Sequence, residues 1–178
     1  MVTENEIVEA CRRGDRQAQR ELYARTCDRV YRVLLRMLRN HDDASDVAQD
    51  TYVRAFGAIG KFDGSSSVDT WLYRIAVNEA LQLLRRRKRQ IRLLREHHDH
   101  ADPGPDRPPD DARLDVEDAV AGLPEDEQAL IVLRYYEGLS YAQMAEVLGK
   151  PAGTIASGLN RARSMLKERL EPRSGQAP

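Results

Sequence analysis

The chain has 178 residues, of which 41% are hydrophobic and 32% are charged, and its formal net charge is −1 at pH 7. This length allows one domain or two small ones, and the near-neutral charge gives no overall sign of a nucleic-acid partner. The longest apolar run, ALIVL, is far too short to cross a membrane. The first residues, MVTENEIVEA, lack the basic and apolar regions of a signal peptide, so we expect a soluble, cytoplasmic protein without membrane insertion.

Hydrophobic periodicity predicts helices throughout the first 95 residues, and no alternating strand pattern occurs. A short helix is expected over 4–13. Three apolar stripes at helical spacing follow, and the first is interrupted near Thr26. The stripes consist of Ala18, Leu22, Val30, Leu34 and Met37; of Ala44, Val47, Ala48, Thr51, Tyr52, Ala55 and Ile59; and of Leu72, Ile75, Ala76, Ala80, Leu83 and Leu84. We therefore predict an all-α N-terminal domain over 1–95, in which Cys11 and Cys27 are buried reduced thiols rather than a disulfide.

Residues 96–113 break this pattern. Within them, DHADPGPDRPPDDAR (99–113) is rich in Pro, Asp and Gly and has no aliphatic side chain larger than alanine. Such a composition cannot bury enough surface to offset the entropy of ordering, so a flexible acidic linker is predicted. His97, His98 and His100 lie at its start, where no fold would hold a metal-binding geometry, and no metal site is expected.

The chain after the linker predicts four shorter helices in a second domain, 114–172, followed by a disordered tail, 173–178. The predicted inward residues are Val116, Ala119, Val120 and Leu123 in the first helix; Tyr141, Met144, Ala145 and Leu148 in the third; and Ile155, Leu159, Ala162, Leu166 and Leu170 in the fourth.

The last two of these helices, over 140–148 and 151–170, form a helix-turn-helix pattern. Ser140 and Gln143 match a capping box at the start of the first, and Gly149 ends it. An ordinary helical hairpin has the same pattern. The outward face of the second helix favours DNA binding, because its side chains can reach phosphates or base edges: Thr154, Ser157, Asn160, Arg161, Arg163 and Lys167.

Two features of the N-terminal half also indicate nucleic-acid contact. Residues 85–95 contain seven Lys and Arg and no acid, whereas a solvated helix face usually carries both signs. The loop KFDGSSSVDTW (61–71) has an aromatic residue near each end, Phe62 and Trp71, and aromatic rings can stack unpaired bases. Trp71 nevertheless fits a core anchor at a helix start better. The polar stripe of the basic helix is Arg74, Asn78, Gln82, Arg85 and Arg89, and Arg86 belongs to the same basic run.

The helix over 44–59 presents an outward strip of Asp43, Asp46, Gln49, Asp50 and Val53. Acidic side chains are repelled by DNA, so this strip is either solvated or a protein-docking surface, and Val53 favours docking. The chain has no Gly-rich phosphate loop, no nucleophile elbow and no carboxylate pair on a rigid frame. We therefore expect no catalytic residues and no cofactor.

Two stretches together resemble a known family. They are DDASDVAQDTYVRAFGAIGKFDGSSSVDTWLYRIAVNEALQLLRRRKR (42–89) and LPEDEQALIVLRYYEGLSYAQMAEVLGKPAGTIASGLNRAR (123–163), and they cover about half of the chain. Their order resembles that of the bacterial RNA polymerase sigma factors of the small extracytoplasmic-function group (ECF, group IV) of the sigma-70 family.

The resemblance implies an N-terminal domain that melts the promoter −10 element and captures it as a single strand, and a C-terminal domain that reads the −35 element as duplex. The implied partners are core RNA polymerase (its β′ clamp and β subunit), promoter DNA and an anti-sigma factor. The resemblance assigns docking on the β′ clamp to Asp46, Gln49, Asp50 and Val53. It places Phe62, Ser65, Ser66, Trp71 and Asn78 in the −10 segment, beside the basic stripe of Arg74, Arg85, Arg86 and Arg89.

The chain departs from the family pattern at four positions. The family usually has Lys or Arg at the position of Ala156 and Arg at that of Gly158, both expected here on the DNA-facing side. It also has Asp at the position of Gln82 and an aromatic residue at that of Val68. We therefore expect a recognition helix that reads DNA weakly and that Gly158 destabilises by about 1 kcal/mol relative to Ala.

The sequence thus predicts an all-α, two-domain promoter-specificity subunit that is not an enzyme. The alternative is a helix-turn-helix regulator that binds operator DNA without polymerase. Such regulators usually read two half-sites as dimers, and no obvious dimerisation helix is present. A nucleic-acid-processing enzyme, the third class, lacks candidate catalytic residues.

Overall fold

A computed structural model describes residues 3–97 and 116–171. Within these two ranges every regular element is helical, which confirms the all-α prediction. Residues 98–113 of the predicted linker (96–113) and the predicted tail 173–178 lie outside the described residues, and the domain boundaries stay predictions. The elements are α1 (Glu4–Arg12), α2 (Arg16–Leu38), α3 (His41–Ala58), a 3-10 turn (Ile59–Lys61), α4 (Val68–His97), α5 (Val116–Ala121), α6 (Glu125–Ile131), a π-helical turn (Val132–Tyr136), α7 (Tyr141–Leu148) and α8 (Ala152–Leu170).

Helices α2, α3 and α4 enclose the core of the N-terminal half. Helix α2 is continuous over 23 residues, and the polar residue at which its apolar stripe is interrupted, Thr26, faces the core with the stripe. Thr26 is buried, and its Oγ1 lies 2.8 Å from the Leu22 carbonyl oxygen and 2.7 Å from the Tyr52 hydroxyl. A buried polar residue whose hydrogen bonds are satisfied costs the core little, so the apolar stripe passes through it.

Both cysteines are free thiols, as predicted, but only one is fully buried. Cys11 packs in the core between α1 and α2, and burial raises the pKa of its thiol. Cys27 is half-buried on α2.

The turn between α7 and α8 follows its sequence signals. The Ser140 hydroxyl accepts a hydrogen bond from the Gln143 N–H at 3.3 Å, and the Gln143 side chain accepts one from the Ser140 N–H at 2.9 Å. Gly149 caps α7 in the left-handed conformation, with φ of 61°, which glycine adopts without a steric penalty. The predicted capping box and glycine stop are confirmed.

The predicted inward faces of α7 and α8 are correct in their middle and wrong at their ends. Met144 is fully buried in α7, as predicted, and so is Val147, which was not among the predicted inward residues. Tyr141, by contrast, is 39% exposed and lies beneath the guanidinium of Arg134. Leu170, expected to face inward, is 38% exposed. Tyr141 opens α7 and Leu170 closes α8, and terminal turns lack the covering that neighbouring helices give to the middle.

The two halves of the chain pack against each other, α7 lying on α4. The buried Tyr73 hydroxyl donates to Glu137 Oε2 at 2.6 Å, and the buried Gln128 amide donates to the Arg36 carbonyl oxygen at 3.1 Å. The Arg36 guanidinium carbon lies 4.3 Å from the ring centroid of Tyr136. We call this set of contacts the interdomain contact. It gives the described residues a closed arrangement that helical periodicity did not predict.

Candidate polymerase and nucleic-acid interfaces

The acidic strip predicted on α3 is exposed except at Asp43, which is half-buried and paired with Arg87. Asp46, Gln49, Asp50 and Val53 follow one another at intervals of three, one and three residues, which places them on one face of the helix. Val53 is 67% exposed, a large fraction for an apolar side chain in the middle of a helix. This strip has the exposure that a docking surface requires.

A groove of about 590 Å³ lies beside the strip, between α3 and α2. Gln49 and Val53 line it from α3, and Tyr23 and Cys27 line it from α2. Tyr23 is 48% exposed and packs edge-on against Tyr52, with ring centroids 4.7 Å apart. An aromatic side chain beside acidic ones gives the surface the mixed composition common in protein interfaces. Sequence reasoning missed Tyr23, although an aromatic residue on the polar side of an amphipathic helix was a usable signal.

The two aromatic residues at the ends of the 61–71 loop are in the core. Phe62 and Trp71 are 4% and 5% exposed, and their ring centroids are 5.3 Å apart. The core-anchor interpretation of Trp71 is therefore confirmed. In this arrangement neither ring is exposed for stacking on a base, because the two rings pack on each other in the core. Ser65 is exposed, its N–H and hydroxyl both bonded to Asp63, and Ser66 is half-buried.

The outer face of α4 carries the predicted basic stripe. Arg74 and Asn78 are exposed one turn apart, and Arg86 and Arg89 continue the exposed surface towards the end of the helix. The interdomain contact leaves these four side chains uncovered. Their role in binding the −10 strand stays a prediction.

Ion pairs with acidic side chains neutralise more of the basic run than its sequence suggests. Three of its five consecutive cations have acidic partners from other helices. Arg87 forms a bidentate pair with Asp43 of α3, and these hydrogen bonds hold the pKa of the Asp43 carboxyl below its usual value. The partners are Asp126 for Arg85 at 2.9 Å, Asp43 for Arg87 at 2.5 Å, and Glu125 for Lys88 at 3.3 Å. Acids more than 35 residues away in sequence thus offset the single-signed excess.

The predicted DNA-facing residues of α8 are exposed, and most have a local partner. The Ser157 hydroxyl donates to the Thr154 carbonyl oxygen at 3.1 Å, and Arg163 donates to the side chain of Asn160. Lys167 lies 3.5 Å from Glu171. Arg161 pairs with a residue outside the helix, Glu127 of α6, at 2.7 Å. All six predicted residues therefore share the outer surface of the helix-turn-helix: Thr154, Ser157, Asn160, Arg161, Arg163 and Lys167.

The expectation that Gly158 faces DNA is wrong. Gly158 is buried where α8 packs on α6, and a Cβ added to it would lie 2.6 Å from Leu130 Cδ1. The absent side chain lets the two helices approach, so glycine here serves packing rather than weakening a DNA-reading surface. Ala156 is half-buried at the edge of the outer face.

No group of His, Cys, Asp or Glu in residues 3–97 and 116–171 has the arrangement of a metal site. His98 and His100 lie outside the described residues. In the described part of the chain, no helix combines the length and apolar character needed to cross a membrane.

The fold and its exposed surfaces indicate a class of protein. A helix-turn-helix with a polar, partly cationic outer face, joined to a helical domain with an exposed basic helix, has the features of a DNA-binding protein. The acidic strip on α3 is a separate exposed surface.

Comparison with known proteins specifies the class further. The family model for Sigma-70 region 2 matches residues 22–90, and that for Sigma-70, region 4 matches residues 113–166. The ECF RNA polymerase sigma-E factor of Haemophilus influenzae is 35% identical over 96% of this chain and 97% of its own length. The RNA polymerase sigma-H factor of Pseudomonas aeruginosa is 32% identical over 95% of this chain and 94% of its own length. The chain belongs to the extracytoplasmic-function group of the sigma-70 family of RNA polymerase sigma factors.

Two solved structures have a similar fold. CnrH in complex with the cytosolic domain of CnrY gives a TM-score of 0.71 at 26% identity, covering 96% of this chain and 99% of that one. The sigma factor RpoE in complex with the anti-sigma factor NepR from Bartonella quintana gives 0.66 at 26% identity, covering 86% and 97%. Both proteins were solved in a complex, and each is similar to at least 86% of this chain.

Proposed function

We propose that three exposed faces of this sigma factor divide the work of promoter-directed transcription initiation. The strip on α3 docks on the β′ clamp of core RNA polymerase, the outer face of α4 binds the melted −10 strand, and the outer face of α8 reads the −35 duplex. The observation that carries the proposal is that all three faces are exposed, while the surfaces between the helices are buried. An acidic face cannot share a DNA surface with a basic one, so docking and DNA binding need separate helices.

The chain is proposed to act in the cytoplasm as a non-catalytic subunit, since its partner polymerase and its promoter DNA are there. An anti-sigma factor is a further proposed partner. RpoE and CnrH were each solved in a complex, RpoE with an anti-sigma factor. The whole-chain similarity to both supports a comparable regulator for this chain.

Transcription in a purified system tests the proposal directly. Core polymerase is incubated with the full chain on genomic fragments, and run-off transcripts are mapped, with core alone and chain alone as controls. Transcripts that start at defined positions only when both components are present are the expected result. Retarded DNA without core, combined with no transcript in its presence, would instead support the operator-binding regulator.

The closed arrangement has to open for both elements to be read. The −10 and −35 elements lie roughly 25 base pairs apart, which is ~85 Å at about 3.4 Å per base pair. A compact chain of this length has a radius of gyration of about 16 Å, and its longest described helix, α4, with 30 residues, is about 45 Å long. A closed molecule is therefore much shorter than the distance between the two elements. The proposed function therefore requires the interdomain contact to break at the promoter.

Tyr73→Phe is expected to shift the free protein towards an open arrangement. Burial raises the pKa of the Tyr73 phenol, so the hydroxyl keeps its proton and donates to Glu137. The Glu137 side chain is only 8% exposed, and removing its donor costs about 1–3 kcal/mol, an approximately 5- to 150-fold change in the open-to-closed ratio. Small-angle scattering should show a larger radius of gyration than for wild type. Tyr31→Phe is the matched control, because Tyr31 bonds His41 within the N-terminal half, and an equal expansion in both variants would contradict the assignment.

A further inference from the structure

Glu127 is the acidic residue of α6 that contacts the recognition helix. Its side chain is 9% exposed, and its Oε1 accepts a hydrogen bond from Arg161 Nε at 2.7 Å. The Arg161 side chain remains 61% exposed on the outer surface of α8. The pair thus joins a buried carboxylate to an exposed guanidinium, across 34 residues of sequence.

The two preceding acids of α6 point elsewhere. Glu125 pairs with Lys88 of α4, and Asp126 pairs with Arg85 of α4 and with Lys150, which precedes α8. Three consecutive acids at the start of α6 therefore have three different sets of partners. A general preference for acids at a helix start does not account for the contact that Glu127 makes. Its distinguishing property is the contact with a predicted DNA-facing side chain.

The choice of atom on Arg161 matters for what the pair can do. A guanidinium has five N–H donors in a fixed plane, of which Nε uses one. Engaging Nε fixes the plane of the group and leaves the Nη1 and Nη2 end, which can donate two parallel hydrogen bonds to O6 and N7 of a guanine. A side chain held in its binding conformation loses less conformational freedom on binding, and its preference for one base is sharper.

The burial of Glu127 also has an electrostatic consequence. A free carboxylate near DNA phosphates would repel them, but this one is withdrawn from the surface and neutralised by Arg161. Conversely, Arg161 compensates a carboxylate that would otherwise be buried without a partner. Glu127 can therefore act on DNA binding through Arg161 without touching DNA.

We propose that Glu127 is a positioning residue that orients Arg161 for reading one base pair of the −35 duplex. This inference rests on the proposed role of α8. It adds to that role a residue outside the recognition helix that sets base preference. It assigns the discriminating contact to Arg161 rather than to Asn160 and Arg163, which are exposed and bond to each other's side chains within α8.

Holoenzyme assembled from core polymerase and the full chain provides the test. Each −35 base pair of an active promoter is replaced in turn, and the ratio of original to substituted promoter binding is measured by competition. Arg161→Ala should lower discrimination at one position by about 5- to 150-fold. Glu127→Ala should lower it at the same position, the double variant should lose no more than Arg161→Ala, and Glu127→Gln, which keeps an acceptor oxygen, should lie between wild type and Glu127→Ala.

Asp126→Ala is the matched control, because it removes the same charge from the adjacent position without touching α8. It should leave the discrimination profile unchanged. If Glu127→Ala does not fold, the intermediate loss in Glu127→Gln at the Arg161 position still decides the matter. A Glu127 variant that changes thermal stability but keeps full discrimination would overturn the positioning role. An Arg161→Ala variant with a wild-type profile at every −35 position would likewise overturn the assignment of the discriminating contact to Arg161. A wild-type holoenzyme that starts no transcripts at defined positions would instead be a failure of the proposed function itself.

Discussion

Asp46→Arg combined with Asp50→Arg is expected to abolish binding to core RNA polymerase. Both side chains are exposed on the α3 strip, and the double change alters the charge of that face by four units. Like charges brought together at an interface cost several kcal/mol, so affinity should fall on the order of 100-fold or more. The fold should persist, because neither position is in the core. Calorimetry or native gel shift with purified core measures the affinity, and circular dichroism measures the helicity.

A control with the same change of net charge is available on other helices. Glu9→Arg with Glu21→Arg also adds four units of positive charge, and each residue makes only an exposed ion pair within its own helix, of the kind that contributes little to stability. This control should bind core with nearly wild-type affinity. Equal losses in both double variants would reduce the effect to net charge, and full affinity in the α3 variant would falsify the docking assignment.

Gly158→Arg, the substitution that restores the family-typical residue, is expected to destabilise the protein rather than improve it. The site is closed by Leu130 of α6, which is 5% exposed, so a long charged side chain has to displace the packing between α8 and α6. Overpacking of this kind should lower the free energy of unfolding by about 2–4 kcal/mol. Thermal unfolding of the full chain should show a melting temperature lower by about 5–15 °C.

Two neighbouring substitutions separate packing from DNA contact. Gly158→Ala should leave the free energy of unfolding nearly unchanged. The roughly 1 kcal/mol gained in helix propensity is offset by the close contact of the new Cβ with the Leu130 methyl, and this contact costs only a modest amount because the Leu130 side chain can rotate away. Ala156→Arg starts from a half-buried position whose side chain can extend outward. It should keep the melting temperature and steepen the salt dependence of duplex binding by about one unit of log–log slope. Unchanged stability together with tighter DNA binding in Gly158→Arg would show that position 158 faces DNA after all.

The elements that depend on short-range chemistry were predictable. The capping box at Ser140 and Gln143 and the left-handed Gly149 are set by residues within four positions of one another, so the sequence carries the whole signal. The exposure of Asp46 and Val53 on α3 follows from the helical period in the same way. Even the helix-turn-helix needs only these local signals and the polar face of α8.

The sequence by itself therefore determined the all-α class, the helix order and the side of each helix that carries polar residues. Tertiary structure alone decided which of those residues meet across the fold. Helical periodicity separates an inner from an outer side but does not say which neighbour covers the inner one, and so it could not place Gly158 against Leu130 or Phe62 against Trp71. Pairs such as Glu127 with Arg161 join residues 34 positions apart, and their partners are selected by how the helices pack rather than by any pattern within a helix.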